Sequence, residues 1–316
     1  MNKIFDLTTR PDTGHSVGKN DPNDLRLGEI ISTRSEDYPA SEIIILGLQT
    51  VEKSKDNKND VFASETIRQE FYNLTNFGIS RNILDLGNYI FNENSESDTD
   101  QYQQIVETVL KDGKRLIVIG GGNEFSYQAG AEMGKVFGED RWLAINVDSH
   151  LDNDFKIHKN NLSAFRRLLE ENILIPKYYY QIGFQPYFCS PVNYKFLQNK
   201  NVQMVSLEQL RSRETADLEL RELIRQEFIH HSRSMSIFFN FSMNAVRSSD
   251  APGVTISSPF GLRAGEFLTL VQYSAKLVNT KIIQFTEVKP ELDIENRTSK
   301  LVAIAMHRFC STIAES

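Results

Sequence analysis

Short apolar runs alternate with longer segments of helical period along most of the chain. Eight runs predict strands, at 41–47, 79–86, 115–119, 142–147, 178–182, 202–205, 235–241 and 281–285. Most are apolar throughout, which is typical of strands covered on both faces. Apolar residues at helical spacing predict helices at 102–110, 162–169, 218–228 and 301–313. This alternation predicts an α/β fold, a three-layer α/β/α sandwich around one broad, mostly parallel sheet of roughly eight strands.

The same pattern predicts one domain over residues 1–316, with residues 1–40 as a polar N-terminal extension packed on it. The polar stretches at 51–60 and 92–100 are interpreted as solvated surface loops. Neither stretch changes the composition sharply enough to indicate a domain boundary.

Composition removes several classes of partner. The net charge is -7 and the sequence pI is near 5.5, without a basic block, so we expect neither nucleic acid nor a membrane surface as partner. No apolar run approaches the ~18 residues of a membrane span, and the N-terminus lacks a signal-peptide core. We therefore expect a cytoplasmic protein. Cys189 and Cys310 lie outside any C-x-x-C motif, which favours small buried side chains in a reducing compartment.

Polar clusters follow four of the predicted strands, at 120–124, 148–152, 242–244 and 287–293. In parallel sheets a ligand site forms outside the carboxyl ends of the strands, so convergence of these clusters would make one pocket. Extended backbone directs Asp148, His150 and Asp152 to one side, and all three are metal-ligand types. The glycines at 120–122 predict a tight turn rather than a phosphate cradle.

The four clusters resemble the motifs of the ureohydrolase superfamily of arginase and agmatinase, and most closely those of its formimidoylglutamase branch. The segment 120–124, G-G-G-N-E, resembles G-G-G-H-E, and 148–152, D-S-H-L-D, resembles D-A-H-x-D. The segment 241–244, F-S-M-N, with A-P-G at 251–253, resembles the D-x-D motif and its downstream turn. The segment that begins at Glu287 resembles E-V-N-P. The resemblance spans roughly the last two thirds of the chain and implies an arginase-like fold.

Family members with complete motifs hydrolyse guanidino or formimidoyl groups with two manganese ions and a bridging hydroxide. The resemblance implies a set of ligand positions in this chain: Asp148 between the ions, Asp152 and Asn123 on one ion, His150 and Asn244 on the other, and Ser242 as second bridge. Three of these positions, at 123, 242 and 244, do not carry the family's ligand type. The family pattern supplies four carboxylates, whereas this chain supplies two, so we expect no stable dimanganese centre.

This shortage of charge predicts a pseudoenzyme that binds a small guanidino, amidine or amino-acid ligand, or a protein partner, without a cofactor. One alternative is a hydrolase with a single Mn²⁺ or other divalent ion on Asp148, His150 and Asp152, acting on a guanidino or formimidoyl substrate. Another is a structural subunit whose strand-end crevice is filled by large side chains. The resemblance also implies a homo-oligomer, either a trimer or a hexamer.

Individual residues keep more than one interpretation at this level. His150 either retains metal binding or bridges Asp148 or Asp152 in a metal-free hydrogen-bond network. Glu287 either faces a cationic substrate group or is a structural carboxylate near a turn. The segment 161–166 resembles a substrate-side S-G-T-P-F-R motif, which assigns Asn161, Ser163 and Arg166 to the substrate pocket.

Overall fold

The computed structural model describes residues 3–11, 21, 23–51, 62–92, 96–151, 163–211 and 234–315. The predicted helix at 218–228 and most of the predicted loop at 51–60 lie outside these ranges. No helix in the described ranges combines the length and the apolar character that a membrane crossing requires.

The strands form one eight-stranded sheet in which every neighbouring pair is parallel, in the order β2-β1-β3-β8-β7-β4-β5-β6. The strands are β1 Ile43–Val51, β2 Ile83–Asn92, β3 Arg115–Ile119, β4 Trp142–Val147, β5 Tyr179–Phe184, β6 Gln203–Ser206, β7 Ser236–Ser242 and β8 Thr280–Thr286. The predicted fold class is therefore confirmed. The last two strands in sequence lie between β3 and β4, so β3, β8, β7 and β4 are consecutive neighbours at the centre.

Helices connect most of these strands. They are α1 Leu27–Ile30, α2 Ala63–Tyr72, α3 Glu96–Lys111, α4 Ser126–Phe137, α5 Ala164–Glu170, α6 Pro191–Asn199, α7 Leu207–Arg211, α8 Ala264–Lys276 and α9 Arg297–Glu315. The prediction of a loop through residue 100 is wrong, because α3 begins at Glu96. Asp98 and Asp100 in the first turns suit the positive end of a helix dipole, so this polar segment starts a helix.

Two hydrophobic cores cover the two faces of the sheet. Alternation along β3 sends Ile117 and Ile119 towards α2, α8 and α9, and Leu116 and Val118 towards α3, α4 and α5. Because both faces are buried, the central strands read as continuous apolar runs. Near the N-terminus, Thr9 forms an antiparallel bridge with Asn88 of β2.

The turn after β3 brings the carboxyl ends of β3 and β8 together. Gly120 and Gly121 have φ of +83° and +72°, values that glycine adopts without a Cβ penalty. The Gly120 amide donates to the Phe285 carbonyl at 3.0 Å, and the Glu287 amide donates to the Gly121 carbonyl at 3.0 Å. A Cβ on Gly120 would lie 2.9 Å from the Leu48 carbonyl oxygen. The turn therefore needs glycine for its conformation and for its space.

This geometry predicts that Gly120→Ala lowers the free energy of unfolding by roughly 2–4 kcal/mol, the sum of left-handed strain and crowding. Gly113→Ala is the matched control, because Gly113 has φ +74° but a Cβ added there would meet nothing within 4 Å. It should lose only the strain, about 1–2 kcal/mol. Urea unfolding of both variants measures the difference, and equal losses would contradict the proposed crowding.

Candidate ligand-binding site

Polar side chains that are distant in sequence meet beyond the carboxyl ends of the four central strands. Asn123 follows β3, Asp148 follows β4, Asn244 follows β7 and Glu287 follows β8. They border a cavity of about 190 Å³. Its lining comprises Asn123, Asp148, His150, Leu151, Phe188, Cys189, Ser190, Asn193, Asn244, Ile256 and Glu287. The alternative of a purely structural subunit predicts that large side chains fill this crevice, whereas the described residues leave it open.

Several residues assigned from the motifs lie elsewhere. Asp152 and Asn161 are outside the described residues. Ser163, which precedes α5, and Arg166, within α5, are not among the cavity's lining residues. The Arg166 guanidinium donates to Glu170 at 2.8 Å and stacks over the Phe196 ring at 4.0 Å. A substrate-pocket role for these residues stays a prediction.

The carboxylate of Asp148 is buried and receives hydrogen bonds from neutral donors. Asn123 Nδ2 donates to Asp148 Oδ2 at 2.7 Å. The backbone amide of His150 donates to Asp148 Oδ1 at 3.0 Å, and Ser149 Oγ donates to the same oxygen at 3.4 Å. Both carboxylate oxygens therefore have protein donors, and charge-assisted bonds of this kind are the stronger class.

Asn123 is held in the orientation that presents its N–H to Asp148. Its Oδ1 accepts from Asn240 Nδ2 at 2.9 Å and from Thr286 Oγ1 at 2.6 Å. Since its carbonyl accepts from these two groups on β7 and β8, its amide nitrogen is the atom directed at the carboxylate. The side chain thus links three neighbouring strand ends.

A row of buried amides on β7, β4 and β5 continues from Asn123 beneath the site. Asn240 Nδ2 donates to Asn146 Oδ1 at 2.8 Å, and Asn146 Nδ2 donates to Gln181 Oε1 at 2.9 Å. Gln181 Nε2 then donates to the His150 carbonyl at 2.8 Å. We name Asn146, Gln181 and Asn240 the amide row. Each interrupts an otherwise apolar strand, which is the sequence signal that could have identified it.

Gln284, which pairs in register with Asn240, is buried beside this row. Neither its amide oxygen nor its amide nitrogen has a partner in the described part of the chain, and nothing in the structure explains this.

His150 lies at the edge of the cavity with its imidazole in a local polar network. Its Nδ1 is 2.9 Å from Ser149 Oγ and 3.5 Å from Asp148 Oδ1. The imidazole stacks on Phe188 with centroids 5.2 Å apart. The His150 imidazole therefore lies beside the Asp148 carboxylate, and both interpretations of His150 stay predictions.

Glu287 combines a structural and a cavity-lining position. It is not glycine, yet its φ is +68°, and strained backbone of this kind is concentrated at functional sites. Its Oε1 accepts the Asn123 backbone N–H at 2.8 Å. Burial raises the pKa of Glu287, and the carboxylates of Glu124 and Asp148 add to the rise, against the Asn123 hydrogen bond and Lys289. Negative charge is therefore in excess around this carboxyl.

Two further oxygens beside the strand ends are buried without a partner among the described residues. They are Asn244 Oδ1 and Ser242 Oγ. Asn244 also lines the cavity. Because an unpaired buried acceptor is unfavourable, this oxygen would gain from any hydrogen-bond donor that reached it. No lysine or arginine is present among the lining residues that the structure describes.

The described residues do not fit a pair of divalent ions. Each such ion needs anionic oxygen, carbonyl oxygen or imidazole ligands, and Asn123 offers an N–H instead. Within the described ranges, no group of three or more His, Cys, Asp or Glu is disposed to hold a metal. The described lining carboxylates are Asp148 and Glu287, and burial raises the pKa of Glu287.

Comparisons with known proteins agree with this architecture. The model of the Arginase family matches residues 41–311. A formimidoylglutamase of Staphylococcus epidermidis is 26% identical over 255 residues, which cover 79% of this chain and 80% of the relative. The formimidoylglutamase of Bacillus subtilis superposes with a TM-score of 0.81 at 21% identity, over 94% of each chain. A Trypanosoma cruzi formiminoglutamase with Mn²⁺ superposes with a TM-score of 0.77 at 24% identity, over 92% of this chain and 99% of that one.

The raised pKa of Glu287 predicts how the stability of the metal-free protein changes with pH. The folded state holds this proton more tightly than the unfolded state, so stability falls as the pH rises from the ordinary glutamate pKa through the raised one. Glu287→Gln keeps the acceptor for Asn123 and should remove that part of the fall. Urea unfolding between about pH 5 and 8 tests this. The surface variant Glu139→Gln is the control, and an unchanged pH slope in Glu287→Gln would contradict the prediction.

Proposed function

The chain belongs to the arginase family, and we propose that it has lost dimanganese hydrolysis and uses the strand-end pocket to bind a small planar cation. A guanidinium or an amidinium is the class of ligand. Members of this family hydrolyse carbon–nitrogen bonds of linear amidines, so the proposal retains the family's type of ligand and removes its chemistry.

The observation that carries the proposal is the hydrogen bond from Asn123 Nδ2 to Asp148 Oδ2. A carboxylate between two cations directs an oxygen at each ion, whereas here Asp148 Oδ2 faces the side-chain N–H of Asn123 and Oδ1 faces the backbone N–H of His150. Rotating the Asn123 amide to offer its oxygen would break the bonds from Asn240 and Thr286. Lost bonds of this kind cost roughly 1–3 kcal/mol each when the partner stays buried. Metal-bound hydroxide, the nucleophile of the two-metal reaction, therefore has no support here.

The remaining groups favour a cation that donates several hydrogen bonds. Asp148, Glu287 and Asn244 line the cavity, and the first two bring carboxylates to it. Guanidinium and amidinium groups are planar donors without acceptors, so they match such a set. The exposed ring of Phe188, stacked on His150, provides a flat surface for the ligand's face. Cation binding would also relieve the repulsion that contributes to the raised pKa of Glu287.

The relatives' substrate fits the described pocket less well. The relatives are named formimidoylglutamases. Formimidoylglutamate carries carboxylates in addition to its amidine group. No cationic side chain among the described lining residues could receive them. Among the described lining residues, a simple cation is matched better than an acidic amidine.

A second candidate function is hydrolysis with a single divalent ion. Asn244 Oδ1 and Ser242 Oγ have no partner among the described residues, and the Trypanosoma cruzi formiminoglutamase contains Mn²⁺. In this case Glu287 would face the cationic group of the substrate. Binding and turnover measurements separate the two candidates.

Methylguanidinium is expected to bind the EDTA-treated protein in isothermal titration calorimetry, and neutral urea of similar shape should bind much more weakly. Glu287→Gln should weaken methylguanidinium binding about tenfold, since one charge-assisted hydrogen bond is reduced to a neutral one. Wild-type protein given Mn²⁺ should release neither urea from guanidino compounds nor formamide from formimidoyl compounds. Metal-dependent release would favour the single-ion hydrolase, and equal affinity for urea would refute cation recognition.

Restoring the family's ligand types at three positions tests the proposed loss of the dimanganese centre. The triple variant Asn123→His, Ser242→Asp and Asn244→Asp supplies two further carboxylates and an imidazole. It should bind Mn²⁺ far more tightly than any of the three single variants, because the ions need the charges together. Equilibrium dialysis with metal analysis measures the gain. If the triple variant gains nothing over the single ones, the inferred ligand positions are wrong.

A further inference from the structure

Several exposed apolar side chains belong to the segments that line the cavity or lie next to them. We name the following residues the collar: Tyr187, Phe188, Val192, Ile256 and Phe260. Their relative exposures run from 37% for Phe188 to 69% for Val192. Exposed apolar residues that cluster on one surface, rather than lying singly, are typical of an interaction site.

Contacts connect the collar to the cavity. Phe188 and Ile256 line the cavity, and Val192 lies between the lining residues Ser190 and Asn193. The Tyr187 ring meets Phe188 edge-on with centroids 4.9 Å apart.

Phe260 is connected to the same surface through Ser258. Ser258 Oγ donates to Gln185 Oε1 at 3.2 Å and accepts from the Phe260 amide at 3.2 Å. Tyr187 hydroxyl donates to the same Gln185 oxygen. The Tyr187 hydroxyl and the backbone of Phe260 are therefore connected through Gln185 and Ser258.

The charges restrict what can dock there. The cavity offers carboxylates to a cation, but a free amino acid would also bring an α-carboxylate. Nearby described arginines already have acidic partners: Arg166 pairs with Glu170, Arg211 with Glu266 and Arg247 with Asp250. An arginine within a polypeptide has its α-carboxyl in a neutral amide. It therefore presents its guanidinium without an α-carboxylate that would need a cationic partner.

We propose that the pocket receives an arginine side chain of another protein, whose apolar residues beside that arginine pack on the collar. This inference rests on the proposed binding of a guanidinium in the pocket and adds the partner that delivers it. Protein interfaces often centre on an arginine or aromatic anchor in a desolvated pocket, with surrounding contacts that exclude water. The acidic cavity provides the pocket for the anchor, and the collar provides the surrounding apolar contacts.

Fluorescence anisotropy with short synthetic peptides tests the partner. An acetylated, amidated peptide with one arginine between leucines should bind at least about tenfold more tightly than acetylarginine methylamide, since the collar adds apolar contact. The same peptide with citrulline in place of arginine should bind at least about tenfold more weakly than the arginine peptide. Free arginine should bind more weakly than acetylarginine methylamide.

Variants of the outer collar separate docking from cation binding. Val192→Ser combined with Phe260→Ser should weaken binding of the arginine peptide about tenfold. The affinity for methylguanidinium should stay within about twofold of wild type, because neither residue lines the cavity. Phe77→Ser is the control, since Phe77 is 83% exposed but precedes β2 at the amino end of the sheet. Circular dichroism checks that each variant is folded.

The outcomes distinguish the two proposals. If methylguanidinium does not bind wild-type protein, the proposed function itself fails. If methylguanidinium binds but the arginine peptide gains nothing over acetylarginine methylamide, the protein partner is refuted and the small-cation site stands. Equal binding of the citrulline peptide, or tighter binding of free arginine, would also overturn the inference.

Discussion

The hydrogen bond between the Asn123 amide and the Asp148 carboxylate is the interaction on which the rest of the site depends. It joins the end of β3 to the end of β4, with β8 and β7 lying between them in the sheet. Those intervening strands hold the asparagine through Thr286 and Asn240. Hydrogen bonds to charged groups contribute roughly 1.5–3 kcal/mol. A buried carboxylate is thus stabilised by neutral dipoles, at a position that the motif resemblance assigns to a metal ligand.

The neutral character of the donors to Asp148 affects the electrostatics of the whole pocket. Neutral donors lower the cost of burying Asp148 but leave its charge uncompensated, and the raised pKa of Glu287 reflects the same excess of negative charge. Interactions between charges are stronger in a poorly hydrated cavity than in water. A guanidinium would supply the missing positive charge together with several hydrogen-bond donors. The proposed loss of metal chemistry and the proposed cation binding would therefore have one physical origin.

Much of the fold could be predicted from the sequence because most central strands are uninterrupted and apolar. The bounds of β3 and β4 agree with the predicted 115–119 and 142–147. β2 was placed too early, at 79–86 instead of Ile83–Asn92, because Asp85 and Asn88 break its apolar pattern. Both are buried polar residues that bond to Arg68 of α2, a tertiary contact that local periodicity does not contain.

The site could be predicted in part. Motif order indicated that the ends of β3, β4, β7 and β8 converge, and Asn123, Asp148, Asn244 and Glu287 do line one cavity. The orientation of the Asn123 amide depends on Asn240 and Thr286, whose proximity requires the strand order. The collar depends on which apolar residues stay exposed after folding, and composition alone does not indicate that. Asp152 and Asn161 lie outside the described residues, so their roles remain predictions.

The most direct test of the central claim is anomalous X-ray diffraction at the manganese edge from crystals equilibrated with millimolar Mn²⁺. The account predicts no pair of anomalous peaks beside Asp148, with Asn123 Nδ2 still within hydrogen-bond distance of its carboxylate. Two peaks bridged by the Asp148 carboxylate, with the Asn123 amide turned to offer its oxygen, would contradict the account.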